Sequence, residues 1–448
     1  MSLGRWRAKQ GVLFVEAEKL SGPGHPFYDR LNRILKDAGF DEWAETLACP
    51  FYRHREGREG IAPGVYCRML FLGWFEGISS ERQIAWRCAD SRSLAAYLGY
   101  GPEERTPDHS TLAGIRKRLP ESFHEHVFDW VLGLLRREGL VVGRKLAVDS
   151  TELKANAALK KIKYKQTGQY YRQWVRSLAQ VEGVEIEDEN DLNRFDRTRK
   201  DKKLPNEEWE SSTDKDARIA RMKDGTTRLA YKAEHAVDLD SGAIVSAELH
   251  PADRMDADTL VPTVNTAGTK LEALGIETVG SAWVADRGYY SKDNVSVLSL
   301  AGLTSVVAER KKLTHGGPLG LLTFLNHLHT VSWLGKCLHK LRTMLAERSF
   351  AHVCETGGLR RLYLRGRENA QKRYSLHTAA FNLGLLMRKK YGAGTPRAMA
   401  EAGNDPENGP GTPRGLLWVI RAAVRRFRWP GKETGHSAPA LGAVLLAA

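Results

Sequence analysis

The hydrophobic period of this chain changes near Arg144, from a helical repeat to a strand repeat. Between residues 24 and 140, apolar side chains recur at helical spacing, as at Phe27, Leu31 and Leu35. After Arg144 the apolar residues come in short runs or alternate with polar ones. One period cannot serve both kinds of element. The sequence therefore predicts an all-helical N-terminal region followed by an α/β region.

Strand-type segments follow the change of period. A short apolar run lies at 146–148, and a longer alternating segment spans 228–238. The turn Asp240-Ser241-Gly242 leads into a returning segment at 243–249, which predicts a hairpin. Two more buried-type strands are expected at 281–285 and 303–308.

A chain of 448 residues is longer than one core usually serves, so at least two domains are expected. The predicted divisions are an N-terminal arm (1–23), a helical DNA-binding or dimerisation domain (24–140), an α/β domain (141–391) with an inserted polar segment at about 157–223, and a linker with a basic tail (392–448).

The net charge of the chain is +14, and its isoelectric point is about 9.5. Nucleic acid is the usual partner of so basic a protein, because Lys and Arg neutralise phosphates. The plainer alternative is a basic soluble protein without such a partner. Five widely spaced cysteines without a CxxC pair predict neither a zinc site nor a disulfide framework. No segment resembles a membrane span or a signal peptide, so a cytoplasmic protein without membrane contact is expected.

Three separated carboxylates stand where they could hold a metal. Asp149 and Asp286 each end an apolar strand-type run, and Glu347 lies in a helix-type segment. Three such acids can bind two Mg²⁺ ions, which clamp the attacking and leaving oxygens of a phosphoryl transfer. For either Asp alone, the commoner role is to cap the turn or helix that follows the strand.

Glu347 shares a helical stripe with Met344, Ala351 and Cys354, and this stripe is expected to face inward. An acid on a buried stripe needs a cationic partner. A metal ion would serve, and a buried ion pair with an Arg is the alternative.

Basic residues cluster after Glu347. Beside a metal site they would hold DNA phosphates, and elsewhere they would form a solvated surface. The predicted DNA-binding residues are Arg348, Arg360, Arg361, Arg365, Lys372 and Arg373.

Two other patterns leave alternatives open. The segment from Asp108 to Arg118 fits either the reading helix of a helix-turn-helix or a solvated basic helix. His327-Leu328-His329 has the spacing used by nucleases with a tyrosine nucleophile, but no Tyr follows on an obvious helix. No GxGxxG motif or P-loop is present, so no nucleotide cofactor is expected.

Several longer motifs together resemble the DDE transposases of bacterial insertion sequences. The motifs are HPFYDRLN, SSERQIAWRCADS, TPDHSTL, AVDSTELKANAA, STDKDARIARMKDGTTRLAYKAEHAVDLDSGAIV, VADRGYY and AERSFAHVCETGGLRRLYLRGRENAQKR, spanning about residues 25–388. The resemblance implies an α/β fold, an RNase H-like mixed sheet with flanking helices preceded by an all-helical domain. It also implies that Asp149, Asp286 and Glu347 are the catalytic and metal-binding triad.

The implied reaction is metal-dependent hydrolysis at the ends of an insertion sequence, followed by attack of the freed 3′-hydroxyl on target DNA. The implied cofactor is a pair of Mg²⁺ ions, for which Mn²⁺ can substitute. The implied partners are double-stranded DNA, both terminal inverted repeats and target, and further copies of the chain, in the nucleoid of a bacterium. The Tyr, Arg and Lys positions of the Tyr-Arg-Glu-Lys signature of related transposases fall here on Lys340, Thr343 and Cys354. This leaves the alternative of an inactive remnant that binds DNA and oligomerises without cutting.

Overall fold

The computed structural model of the chain describes residues 24–53, 59–200, 202–222, 224–309 and 316–401. The predicted N-terminal arm and residues 402–448 of the predicted tail lie outside the described residues. Within the described chain, no helix is both long and apolar enough to cross a membrane.

The first part of the chain is helical, as the sequence predicts. Its helices are α1 (Pro26–Asp37), α2 (Phe40–Ala48), α3 (Pro63–Phe75), α4 (Glu81–Asp90), α5 (Arg92–Tyr97), α6 (His109–Arg118) and α7 (Glu121–Arg137). Every residue of α3 is buried, so this helix forms the centre of the helical part. In α6, Asp108 caps the N-terminus through the Ser110 N–H (2.8 Å), and the side chain of Arg116 is buried.

A mixed sheet follows, with β1 (Lys145–Lys154) at its centre. On one side β1 pairs antiparallel with β5 (Thr227–Asp238), and on the other it pairs parallel with β7 (Ala282–Ala285). β8 (Thr304–Val307) lies parallel beside β7, while β4 (Arg218–Arg221) and β6 (Ile244–Pro251) pair antiparallel with β5. The predicted hairpin and both predicted buried-type strands are thus confirmed, in an RNase H-like sheet.

A polar insertion separates β1 from β5. It contains β2 (Ile162–Tyr164), α8 (Tyr171–Val181), α9 (Glu189–Thr198) and β3 (Trp209–Ser211). The two helices bury a small apolar cluster of their own, made of Val175, Ala179, Leu192 and Phe195.

Helices cover both faces of the sheet. They are α10 (Asp256–Ala273), α11 (Lys292–Leu300), α12 (Gly320–Val331), α13 (Trp333–Ala351) and α14 (Arg367–Tyr391). At the end of the described chain, the short helix α15 (Pro396–Glu401) packs against α1. Consecutive strand residues point to opposite faces. Accordingly, Asp149 of β1 contacts α13, whereas the next residue, Ser150, contacts α10.

The long helix α14 joins the helical part to the sheet. Its Asn382 donates to the Ile244 carbonyl of β6 (2.8 Å) and accepts from the Ile244 N–H (3.0 Å). The same helix packs against α3 and α7. One continuous apolar core therefore spans both parts, and the division at residue 140 stays a prediction.

Candidate active site

Two of the predicted acids lie side by side at the centre of the sheet. In the parallel pairing of β1 with β7, Ala147 lies opposite Val284. Asp149 lies two residues further along β1, and Asp286 directly follows the last residue of β7, so the two acids stand at corresponding points of neighbouring strands. Neighbouring strands lie about 4.8 Å apart. The fold therefore brings together two carboxylates that are 137 residues apart in sequence.

Asp286 also caps the turn that follows it. Its Oδ1 accepts a hydrogen bond from the Gly288 N–H at 2.8 Å, at the start of the short 3-10 helix Arg287–Tyr289. Its Oδ2 accepts no hydrogen bond from any described residue. Asp286 can therefore cap the turn and also bind a metal, because each role uses a different oxygen.

Asp149 is neutralised by an arginine from helix α13. Arg342 Nη1 lies 3.1 Å from Asp149 Oδ2, and both side chains are about 15% exposed. Asp149 Oδ1 accepts the N–H of Ser150 at 2.9 Å. A fixed cation therefore stands beside the carboxylate that is predicted to bind metal.

Glu347 lies on the outer face of α13. The helix turns Leu345, Ala346 and Ser349 toward the sheet, where Ser349 Oγ bonds His235 Nδ1 at 2.8 Å. Glu347 is exposed instead. The predicted inward stripe is wrong at three of its four positions: Met344 is 56% exposed, and Glu347 and Ala351 are also exposed. The physical reason is that Leu345, Ala346 and Phe350 form a larger apolar face on the other side of the helix.

Among the described residues, no three His, Cys, Asp or Glu side chains are grouped closely enough to hold a metal ion. The structure brings Asp149 and Asp286 together and leaves Glu347 apart from them. The triad as a whole stays a prediction.

Sequence reasoning missed a group of polar residues on the other face of the sheet, beside α10. Asp256 Oδ1 lies 3.0 Å from Ser150 Oγ and 2.7 Å from Lys232 Nζ. Glu234, two residues from Lys232 on β5, is fully buried, and burial raises its pKa to about 7. No motif marks Asp256, which follows the hairpin in a polar connection. The only feature that could have identified Asp256 is its position at the start of a helix beside the strand ends.

Four of the six predicted DNA-binding residues are exposed: Arg348, Arg360, Arg361 and Arg365. Arg360 is paired with Glu355. The segment carrying three of these arginines runs beside the end of β1, since Lys154 N–H donates to the Arg360 carbonyl at 3.2 Å. A basic edge therefore begins at the end of the strand that carries Asp149.

Lys372 and Arg373 do not belong to this edge. Both are 3% exposed and hold α14 against the helical part. Lys372 Nζ donates to the Arg116 carbonyl at 3.2 Å, and Arg373 Nη2 donates to the Ser79 carbonyl at 2.7 Å. Their assignment to DNA is corrected, because side chains this deeply packed cannot reach a phosphate.

The rival histidine pair does not converge on one point. His327 Nδ1 lies 2.9 Å from Glu309 Oε2, whereas His329 Nδ1 lies 3.2 Å from the Ser305 carbonyl oxygen. Each ring thus contacts a different part of the connection around β8, which does not favour a shared metal.

The sheet order, with three antiparallel strands followed by two parallel ones and a carboxylate on or directly after each of the two adjacent parallel strands β1 and β7, defines an RNase H-like fold. Family comparison gives the particular family. Residues 15–118 match the family model described as "Transposase domain (DUF772)", and residues 195–383 match the one described as "Transposase DDE domain". The chain belongs to the DDE transposases of insertion sequences, a class that uses divalent metal ions.

Comparison with solved structures finds a Mos1 transposase paired-end complex with the left transposon end, at 9% identity and a TM-score of 0.18, covering 70% of this chain and 86% of that one. It also finds the Mos1 strand transfer complex, at 11% identity and a TM-score of 0.17, covering 68% and 81%. At these scores the likeness has no bearing on the site. No curated protein matches the chain.

Proposed function

We propose that this transposase cuts DNA at the ends of its own insertion sequence and joins the freed ends to target DNA. In the first step, a water oxygen bonds to the phosphorus at the end of the element, and the 3′ oxygen leaves as a hydroxyl. In the second, that 3′-hydroxyl bonds to a target phosphorus, and the target's own 3′ oxygen leaves with the proton. The observation that carries the proposal is the parallel pairing of β1 with β7, in which Ala147 lies opposite Val284 and Asp149 and Asp286 each follow two residues later.

The residues present fit a hard divalent cation. Carboxylate oxygens are the ligands that Mg²⁺ and Mn²⁺ prefer, and Oδ2 of Asp286 accepts no hydrogen bond from the described chain. A pair of Mg²⁺ ions, when bound, supplies Lewis-acid stabilisation of the attacking and leaving oxygens. Arg342 must release Asp149 Oδ2 before that oxygen can serve as a ligand.

Glu347 is the proposed third acid, and it requires a rotation of α13. Its neighbour Ala346 is fully buried against the sheet. One residue corresponds to about 100° around an α-helix, so a shift of one residue exchanges their positions. The π-helical turn His352–Thr356 directly follows α13. Such a turn holds one extra residue, and its movement along the helix provides the shift.

The basic edge is the proposed DNA surface, made of Arg348, Arg360, Arg361 and Arg365. Its position beside the end of β1 supports this, as does the net charge of +14. We further propose that the helical domain (24–140) recognises the ends and that two or more copies act on paired ends.

The test is a cleavage assay with the full chain, Mg²⁺ or Mn²⁺, and duplexes that carry the element's terminal repeats. We expect Asp149→Asn and Asp286→Asn to abolish cutting, because the amide keeps the shape of the side chain but not its charge. End binding in EDTA should be retained. The matched control is Asp258→Asn, an exposed acid in the first turn of α10.

Two outcomes contradict the proposal. One is cutting by the Asn variants at the wild-type rate. The other is a wild-type protein that binds the ends but never cuts them with either metal, which would favour the DNA-binding remnant. The observation that supports this second candidate function is the exposed position of Glu347.

A further inference from the structure

Asp256 is anchored through one of its two carboxylate oxygens. Its Oδ1 accepts from Ser150 Oγ at 3.0 Å and from Lys232 Nζ at 2.7 Å. Ser150 directly follows Asp149, so Asp256 is tied to the strand that carries the proposed ligand. Its Oδ2 accepts no hydrogen bond from the described chain. The anchoring fixes the direction of the carboxylate and leaves one oxygen available.

The available oxygen lies beside Gly288, which the Asp286 carboxylate also approaches. A Cβ atom placed on Gly288 would lie 2.5 Å from Asp256 Oδ2 and 3.2 Å from Asp286 Oδ1. Gly288 is not among the glycines with positive φ, so its backbone does not itself require glycine. What favours glycine here is the close approach of the Asp256 carboxylate, which a Cβ would displace.

Two acids, Glu234 and Asp256, lie near the one ammonium group of Lys232. Both oxygens of Glu234 are buried and accept no hydrogen bond from the described residues, while His250 Nε2 lies 3.5 Å and Lys232 Nζ 3.9 Å from Oε2. The buried hydroxyl of Tyr289 also makes no hydrogen bond of normal geometry with the described residues. Lys232 therefore stands between Glu234 and Asp256, while Asp286 has no ion-pair partner within the described chain.

From these contacts we propose that Asp256 is an additional metal ligand of the active site, whose Oδ2 shares a divalent cation with Asp286. The inference deepens the proposed function and rests on it. Two carboxylates do not form a complete protein cage, which agrees with the absence of a three-residue metal group among the described residues. Mg²⁺ usually keeps several waters and takes further oxygens from substrate phosphates, so two protein ligands on this side are sufficient.

A purely structural role for Asp256 makes a different prediction. As an N-terminal helix residue bonded to Ser150, it could serve only to stabilise α10. In that case Asp256→Asn, which keeps an acceptor for Ser150, would alter stability but not metal affinity.

The test measures binding of Mn²⁺ alone to the full-length protein by electron paramagnetic resonance, without DNA. We expect Asp256→Asn to weaken Mn²⁺ binding by about tenfold or more, which corresponds to about 1.4 kcal/mol. Asp258→Asn, two residues away and exposed, should bind as the wild type does. Unfolding by urea in EDTA shows whether each variant is folded.

Gly288→Ala is a second variant that leaves all the acids in place. Its added methyl group must separate Asp256 Oδ2 from Asp286 Oδ1, so it too should weaken Mn²⁺ binding. The inference is overturned if Asp256→Asn and Gly288→Ala bind Mn²⁺ normally while Asp286→Asn does not. The proposed function survives that result. If Asp149→Asn and Asp286→Asn also bind Mn²⁺ and cut DNA normally, the proposed function fails instead.

Discussion

Arg342 and Asp149 form an ion pair across the contact between helix α13 and the central strand β1, with 3.1 Å between Nη1 and Oδ2. The Arg342 Nε is buried and has no hydrogen-bond partner among the described residues. The guanidinium is therefore held mainly by the carboxylate, beside the position that a metal is proposed to take. An arginine there stabilises the metal-free protein and competes with metal for the same oxygen.

The first prediction concerns this competition. Arg342→Gln should lower the free energy of unfolding in EDTA by about 2 kcal/mol, because a poorly solvated carboxylate loses its charged partner. The same change should tighten Mn²⁺ binding several-fold, since Asp149 Oδ2 becomes available. Urea unfolding and Mn²⁺ titration measure the two effects. Arg348→Gln, on the exposed face of the same helix, should change neither, and equal Mn²⁺ affinity of Arg342→Gln and the wild type would refute the competition.

The second prediction concerns Glu347. If α13 rotates to complete the triad, Glu347→Gln should reduce cleavage by about two orders of magnitude or more. Urea unfolding in EDTA should be nearly unchanged, because the side chain is exposed in the metal-free structure. Met344→Gln alters the same outer face and is the control for both measurements. Wild-type cleavage by Glu347→Gln would show that the outward orientation persists in the active enzyme.

The sequence predicts the strand positions of the site well, for a physical reason. Strands buried on both faces read as short apolar runs, and an Asp at the end of such a run stands out. β1 and β7 were predictable on this basis, and the family resemblance adds that Asp149 and Asp286 act together. The parallel register that makes them neighbours is visible only in the fold.

The helix positions were less predictable. In α13, apolar residues lie on more than one side, so spacing alone could not decide between the faces of Leu345 and Met344. Lys372 and Arg373 look like surface residues by charge, but α14 is enclosed by the sheet and the helical part. Asp256 has no motif at all. Only its contacts with Ser150 and Lys232, which are far away in sequence, mark it as a candidate site residue.

The third prediction separates buried from exposed basic residues. Arg365→Ala should weaken end binding and reduce the slope of log affinity against log salt by about one, as expected for the loss of one phosphate contact. Arg373→Met should leave that slope unchanged, because Arg373 is 3% exposed and bonds the Ser79 carbonyl. Fluorescence anisotropy over a range of salt concentrations measures both. A reduced slope for a folded Arg373→Met would mean that α14 separates from the helical part when DNA binds.

The last prediction starts from a buried histidine in α14. His377 is fully buried, and neither ring nitrogen has a hydrogen-bond partner in the part of the chain that the structure describes. Burial, and then the nearby Arg373, hold the pKa of His377 well below its usual value. In the unfolded chain the imidazole takes up a proton below about pH 6.5. The unfolded state thus binds more protons, and stability falls as the pH drops below that value.

His377→Leu should therefore stabilise the protein, and more so in acid. At pH 7.5 the gain is the removal of an unsatisfied polar ring, about 1–3 kcal/mol. At pH 5.5 it should grow by about 1.4 kcal/mol, since the folded wild type excludes a proton that its unfolded chain binds. Urea unfolding at the two pH values measures the difference, with the exposed His126→Gln as control. An equal gain at both pH values would mean that His377 is already protonated in the folded protein, with a partner for its charge inside the core.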